Sequence, residues 1–304
     1  MTATSLWVDC RCVLGEGIAW SPRRRALLWT DIEGARIWQA PHPDGEPHSW
    51  AVRDRVGFLA ECESGAFILG FAKAIARAAL EAIADETVLT EVEPGVPQTR
   101  INDGRTDRAG NLVFGTLNED PGQQNIGSFY QFSARYGLRR LALPSVVIPN
   151  SICFSPDGRT MYFCDSVDRR IMQCTYDAEA AAVAEVREFV ALEPRQGFPD
   201  GSIVDADGCL WNAQWRAARV RRYTPAGRID RDIAVAAKNP TCVAFGGSDL
   251  DELYITSSRQ EMTDDELAVT PHAGGVYRAL VGVAGLCDAL FNDSSLFRSG
   301  TAAE

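Results

Sequence analysis

Histidine is nearly missing from this chain of 304 residues: His42, His48 and His272 are the whole supply. Two of them sit in or beside the proline-rich stretch 41–47, and none falls in the polar segments singled out below. That argues against a Ser-His-Asp triad or a histidine-rich zinc site and leaves general-base work to a carboxylate. A CxxC pair is also lacking. The nine cysteines are odd in number and mostly lie in apolar runs such as Ile152-Cys153-Phe154, so buried reduced thiols are expected. No run approaches the ~18 apolar residues that span a bilayer. Residues 1–9 carry no basic stretch followed by an apolar core, so a cytoplasmic protein is expected, with no membrane partner. Basic charge is short as well, with a net charge of −11. The densest basic runs, Arg23-Arg24-Arg25 and residues 219–222, read as solvated turns or strand edges. Nucleic acid is therefore not an expected partner, and no obligate protein partner is evident.

What is present is a repeat. Trp20-Ser21-Pro22-Arg23 leads to Ala26-Leu27-Leu28-Trp29-Thr30-Asp31 and then Arg36-Ile37-Trp38. Phe154-Ser155-Pro156-Asp157-Gly158 leads to Met161-Tyr162-Phe163-Cys164-Asp165 and then Arg170-Ile171-Met172. Val204-Asp205-Ala206-Asp207-Gly208 leads to Cys209-Leu210-Trp211-Asn212-Ala213 and then residues 219–223. Weaker copies begin at Cys62, Asp107 and Phe245, giving six units of three apparent strands each. A spacing of roughly 40–50 residues is that of propeller blades. One blade cannot bury both faces of its sheet, so the reading is an all-β, six-bladed β-propeller forming a single domain over 1–304. Residues 5–13 are expected to pair with the last blade and close the ring. The alanine-rich segment 71–86 has a helical spacing of apolar residues, but the repeat places strands there. The tail 294–304 is expected to be loose.

Four polar segments interrupt the repeat at strand entries: Leu14-Gly15-Glu16-Gly17, Arg100-Ile101-Asn102-Asp103-Gly104, Pro149-Asn150-Ser151-Ile152 and Phe198-Pro199-Asp200-Gly201. Each tripeptide taken alone reads as a turn. Together they occupy one register on four blades, and the Asp157-Gly158 and Asp207-Gly208 turns lie in a different phase. Innermost propeller strands line the central channel, so Glu16, Asn150 and Asp200 can converge. Two carboxylates and an amide are hard oxygen ligands that suit Ca²⁺, Mg²⁺ or Mn²⁺, with Zn²⁺ and Fe²⁺ still open. Three protein ligands leave room for water and substrate.

At these residues the sequence resembles the family of senescence marker protein 30, the gluconolactonases and the luciferin-regenerating proteins. Further matching segments are Arg105 with Asp107 and Gly110, Gly115-Thr116-Leu117, Phe154-Ser155-Pro156-Asp157, Phe245-Gly246-Gly247 and Leu253-Tyr254-Ile255-Thr256. The resemblance runs through about residues 7–283 in unbroken order. It implies a six-bladed propeller holding one divalent metal ion. It also implies that Glu16, Asn150 and Asp200 are the metal ligands and that Arg100 and Asn102 contact metal-bound water or sugar hydroxyls. The family's acidic substrate contact maps to Asp120, or to Glu119 in a slipped register. Ser151 stands where glycine is more usual.

The function expected from this is hydrolysis of an aldonolactone (glucono-, xylono-, arabinono- or galactono-lactone) to the open-chain acid. Asp200 would be the catalytic general base, and Arg100, Asn102, Glu119 or Asp120 would hold the sugar. Residues 121–127 are the candidate lid, and Trp215 is expected to be a structural tryptophan of the rim rather than a platform stacked on the sugar face. Alternatives are an invertase-like or paraoxonase-like esterase, a non-catalytic divalent-metal or ligand-binding propeller, and a protein-interaction propeller.

Overall fold

Tight turns set the hairpins from which the chain is built. Gly158 and Gly208 hold φ near 72° and 78°, a left-handed conformation that glycine adopts without steric cost, and each reverses the chain after a buried strand. In the computed structural model, which describes residues 4–122 and 124–297, these hairpins extend into six antiparallel sheets of four strands each. The innermost strands are Gly15–Ser21, Val56–Glu61, Thr99–Thr106, Pro149–Phe154, Phe198–Val204 and Pro240–Gly246, here blades 1 to 6. Each packs against the innermost strands of both neighbours, and the sixth returns to the first. The architecture is a six-bladed β-propeller.

Apolar side chains fill the spaces between blades. Trp211 and Val220 of blade 5 meet Val243, Phe245 and Tyr277 of blade 6, all buried. Leu28 and Ile37 of blade 1 meet Phe67 and Phe71 of blade 2. Each fully buried residue of this kind contributes about 2–3 kcal/mol. Blade 6 takes its fourth strand from the start of the chain: Ser5–Val8 pairs with Val276–Leu280, Leu6 opposite Tyr277. Trp7 fixes that strand by packing its ring on Trp29 and Tyr254.

The other end of the described chain is tied down differently. After Val276–Leu280 it crosses the end of the ring as a strap. Ala284 accepts from Ala206 N of blade 5, Arg105 of blade 3 donates to both oxygens of Asp288 at 2.8 Å, and Phe291 N donates to Glu61 O of blade 2.

The structure differs from the sequence reading in three ways. Each unit has a fourth, outermost strand, not three. Ala182–Ala191 of blade 4 is mostly exposed and Ile229–Ala234 of blade 5 largely so, which leaves no apolar alternation to read. Segment 71–86 divides: Ala74–Ala78 is a strand and Leu80–Asp85 is a 3-10 turn. Finally, the four polar segments lie inside the innermost strands, not before them. Of the tail expected to be loose, Ser294–Phe297 forms a 3-10 turn and the remainder lies outside the described residues.

Innermost strands approach closely. A Cβ on Gly57 would stand 2.3 Å from Asn102 O of the next blade. Gly57→Ala is expected to cost about 2 kcal/mol, seen as a melting temperature lowered by roughly 5 °C. An unchanged melting curve would mean that this contact is slack.

Candidate functional site

The pairing register slips once in each innermost strand. In blades 1, 3, 4 and 5 the irregularity follows Glu16, Ile101, Asn150 and Pro199. A bulge adds a residue to one strand, bends it and re-aims a side chain. Gly17 and Ser151, the residues after Glu16 and Asn150, hold φ of 56° and 61°. Glycine meets that need in blade 1. In blade 4 a serine does so, at a cost of about 1–2 kcal/mol. Its hydroxyl offsets the cost: buried Ser151 Oγ donates to Asp200 O at 2.6 Å and accepts from Ser202 Oγ at 3.0 Å. Asn212 Nδ2 adds a second donor to Asp200 O at 3.0 Å. The peptide of Asp200 is thus held by two side chains on two blades.

The bulges divide the axis of the ring into two spaces. Gly17, Asp103 and Arg105 border a small void of about 30 Å³ on the strap side. Glu16, Arg100, Asn102, Asn150 and Asp200 all line a cavity of about 360 Å³ at the other end, with Phe198, Trp215, Arg216 and Glu261. That volume lies at the small end of ligand pockets.

A hydrogen-bond relay orients the amides. Ser166 Oγ donates to Pro199 O at 2.7 Å, so its lone pairs accept from Asn150 Nδ2 at 2.9 Å. Asn150 Oδ1 is left to accept from Asn102 Nδ2 at 3.2 Å. Asn102 Nδ2 also donates to Pro149 O at 2.9 Å, and Asn102 Oδ1 accepts from Arg100 Nη1 at 3.0 Å.

Three carboxyl groups are buried near the axis. Burial pushes Glu16 up to about 8, with the charge of Asp103 adding to it. Burial also raises Asp200 well above the carboxylate range, followed by repulsion from Glu16 and Asp103. Asp103 is raised by burial despite accepting from Ile152 N at 3.0 Å, a bond that joins blades 3 and 4. Asp200 Oδ1 is buried with no hydrogen-bond partner. Among the described residues no three His, Cys, Asp or Glu side chains form a ligand set, so the hard donors are two carboxylates and the Asn150 amide.

Glu119 and Asp120 do not line the cavity. Glu119 pairs with Arg55 at 2.5 Å and stands 3.5 Å from Arg100 Nε, and Glu33 approaches both guanidiniums. Asp120 is exposed. Of the candidate lid, Gln123 lies outside the described residues, and Gln124 O accepts from Asn118 Nδ2 at 2.8 Å. Sequence reasoning missed Asp103, which looks like a turn residue, and the rim pair Arg216 and Glu261. No pattern in the sequence links two residues on different blades.

Residues 14–259 match the model of the SMP-30/Gluconolactonase/LRE-like region. The chain belongs to this family. Within the SMP-30/gluconolactonase family it is similar to an L-arabinolactonase of Azospirillum brasilense, 44% identical, with 94% of this chain and 95% of the relative covered. It is also similar to a 6-deoxy-6-sulfogluconolactonase of Pseudomonas putida, 34% identical over 92% of this chain and 95% of that one. Among solved structures, a calcium-binding regucalcin from Agrobacterium tumefaciens superimposes with a TM-score of 0.89 at 28% identity, covering 96% of this chain and 98% of that chain.

Glu16 gives the site a measurable signature. Its folded value of about 8 exceeds the ordinary 4.5, so the stability that it contributes is full below about 4.5. That stability is lost as pH rises through about 8. Chelator-treated protein should melt at a lower temperature at pH 8.5 than at pH 5.5, by about 5 °C or more. Glu16→Gln should reduce the difference, leaving the part that buried Asp200 and Asp103 contribute; an equally steep slope in that variant would remove Glu16 as a source.

Proposed function

We propose that this chain is a sugar lactonase that opens an aldonolactone to its aldonic acid with the help of one divalent metal ion held by Glu16, Asn150 and Asp200. The observation that carries the reading is the partnerless, buried Oδ1 of Asp200, in a cavity that it shares with Glu16, Asn150, Arg100 and Asn102. Buried carboxyls that raise one another's proton affinity gain from a cation placed between them, and hard oxygen donors supply the ligand type that Ca²⁺, Mg²⁺ or Mn²⁺ prefers. The residues therefore fit such an ion. The regucalcin that superimposes on this chain is described as calcium-binding, which supports the same class of ion. Relatives named L-arabinolactonase, 6-deoxy-6-sulfogluconolactonase and pentonolactonase support sugar-lactone hydrolysis, the first and third on uncharged sugars and the second on one bearing a sulfonate.

When bound, the ion supplies Lewis-acid polarisation of the lactone carbonyl. The chain supplies the rest. Asp200 Oδ1 accepts a proton from the attacking water as its oxygen bonds to the carbonyl carbon. The carbonyl–ring oxygen bond then breaks, and Asp200 returns the proton to that ring oxygen, now the new hydroxyl of the acid. The bonds from Ser151 and Asn212 to Asp200 O hold the base in place. Arg100 Nη1 bonds Asn102 Oδ1 and so fixes that amide, whose Nδ2 is spent on Pro149 O and Asn150 Oδ1, and the Nη2 group of Arg100 supplies the donors for sugar hydroxyls. Phe198 and Trp215 give the ring an apolar wall. Glu119 acts through Arg55 and Arg100 rather than on the sugar, and Asp120 takes no part.

The test is a panel of glucono-, xylono-, arabinono- and galactono-lactones followed by proton release, with stripped protein and then single divalent ions. Metal-restored turnover on at least one lactone is expected, and Asp200→Asn should lower kcat by about 10³-fold or more. Full activity in stripped protein would remove the ion from the reaction. Ion binding with no turnover on any lactone would favour a ligand-binding propeller.

A further inference from the structure

Two cations line the cavity, Arg100 and Arg216, and each faces a carboxylate, although Arg100 Nε has no hydrogen-bond partner and the Arg216–Glu261 pair is exposed. Arg100 Nη1 bonds Asn102 Oδ1 and Ile101 O at 3.0 Å, and its guanidinium faces Glu119 and Glu33. Arg216 Nη2 donates to Glu261 Oε2 at 2.7 Å. Arg216 follows strand Leu210–Trp215 of blade 5, and Glu261 follows strand Glu252–Ser257 of blade 6, so the pair bridges two blades at the rim. Both hold left-handed backbone, with φ of 63° and 59°, as do ten other non-glycine residues among those described. Arg169 stacks on Phe198 at 4.0 Å but does not line the cavity.

With a divalent ion on Glu16 and Asp200, the charge left in the lining is Glu261 against Arg100 and Arg216, and Arg100 also faces Glu119 and Glu33 from outside it. A phosphate or sulfonate entering here gives up hydration and meets guanidiniums that already face carboxylates, Arg216 with Glu261 and Arg100 with Glu119 and Glu33, while Glu261 repels it. A sugar hydroxyl both donates and accepts, so it bonds the spare N–H groups and lone pairs of the Arg216–Glu261 pair without breaking it.

We propose that the Arg216–Glu261 pair is a charge selector that restricts the cavity to uncharged polyhydroxy lactones and excludes those with an anionic group on the terminal carbon. The proposal rests on the lactonase reading above for its substrate. Glu261 acts by holding Arg216 neutralised; releasing Arg216 turns the rim into an anion-accepting one.

The test compares kcat/KM for the lactone that the panel identifies and for its terminal phosphate ester, in the metal-loaded protein at low ionic strength. A preference for the neutral lactone of about 100-fold is expected. Glu261→Gln should cut that preference by at least about 10-fold, since a freed guanidinium makes charge-assisted bonds to phosphate that partial exposure only weakens. Arg216→Gln should not cut it. Equal use of both lactones by the wild type, or an unchanged ratio in Glu261→Gln, overturns the proposal. Calorimetric binding of the non-hydrolysable ether 1,5-anhydroglucitol and of its 6-phosphate separates the two readings. If no lactone turns over but the neutral ether alone binds, the lactonase reading falls and the selector stands. If both ethers bind alike, or neither binds, the selector falls.

Discussion

A ring closed by six inner strands leaves room at its axis for backbone and little else. The glycine contacts measure how little. A Cβ at Gly15 would lie 2.8 Å from Ser257 O, and one at Gly201 would lie 2.7 Å from Cys242 Sγ. Side chains cannot simply point inward under that constraint. A slip in the pairing of each inner strand relieves it, because an added residue bends the strand and turns one side chain along the axis instead of across it. The polar character of the site follows. Glu16 and Asn150, aimed by left-handed Gly17 and Ser151, reach the open end beside Asp200 and Asn102.

The same crowding accounts for the electrostatics. Carboxyls this close to the axis are screened from water by the blades themselves, so burial dominates the rise in Glu16 and Asp200 and neighbouring charge comes second. Fixed backbone replaces solvent as the orienting medium. Ser151, Ser202 and Asn212 form a buried cluster around Asp200 O. A site whose groups are oriented before any ligand arrives has little reorganisation left to do.

Much of this was legible in the sequence because the polar residues broke an apolar pattern at a fixed phase of a repeat. Glu16, Asn150 and Asp200 sit where inward-facing strand residues are expected to be apolar. The hairpins were legible through Asp-Gly turns, and the number of blades through their spacing. The outer strands were not, because a strand such as Ala182–Ala191 is mostly exposed, with Val190 its one buried residue, and has no period to detect. Asp103 was hidden because its carboxyl accepts from Ile152 N on another blade, while its neighbours Asn102 and Gly104 read as a turn. The rim was hidden for a related reason. Glu33, Arg55, Arg100 and Glu119 come from three blades, and only the closed ring shows that they form one network.

The strap that crosses the far end of the ring stands apart from the cavity. Arg105 and Asp288 meet there with Leu290 beside a void of about 30 Å³, which is separate from the 360 Å³ space above the bulges. No residue of the strap lines the larger space, so a change in the strap can be felt by an occupant of that space only through the inner strands, which both spaces share.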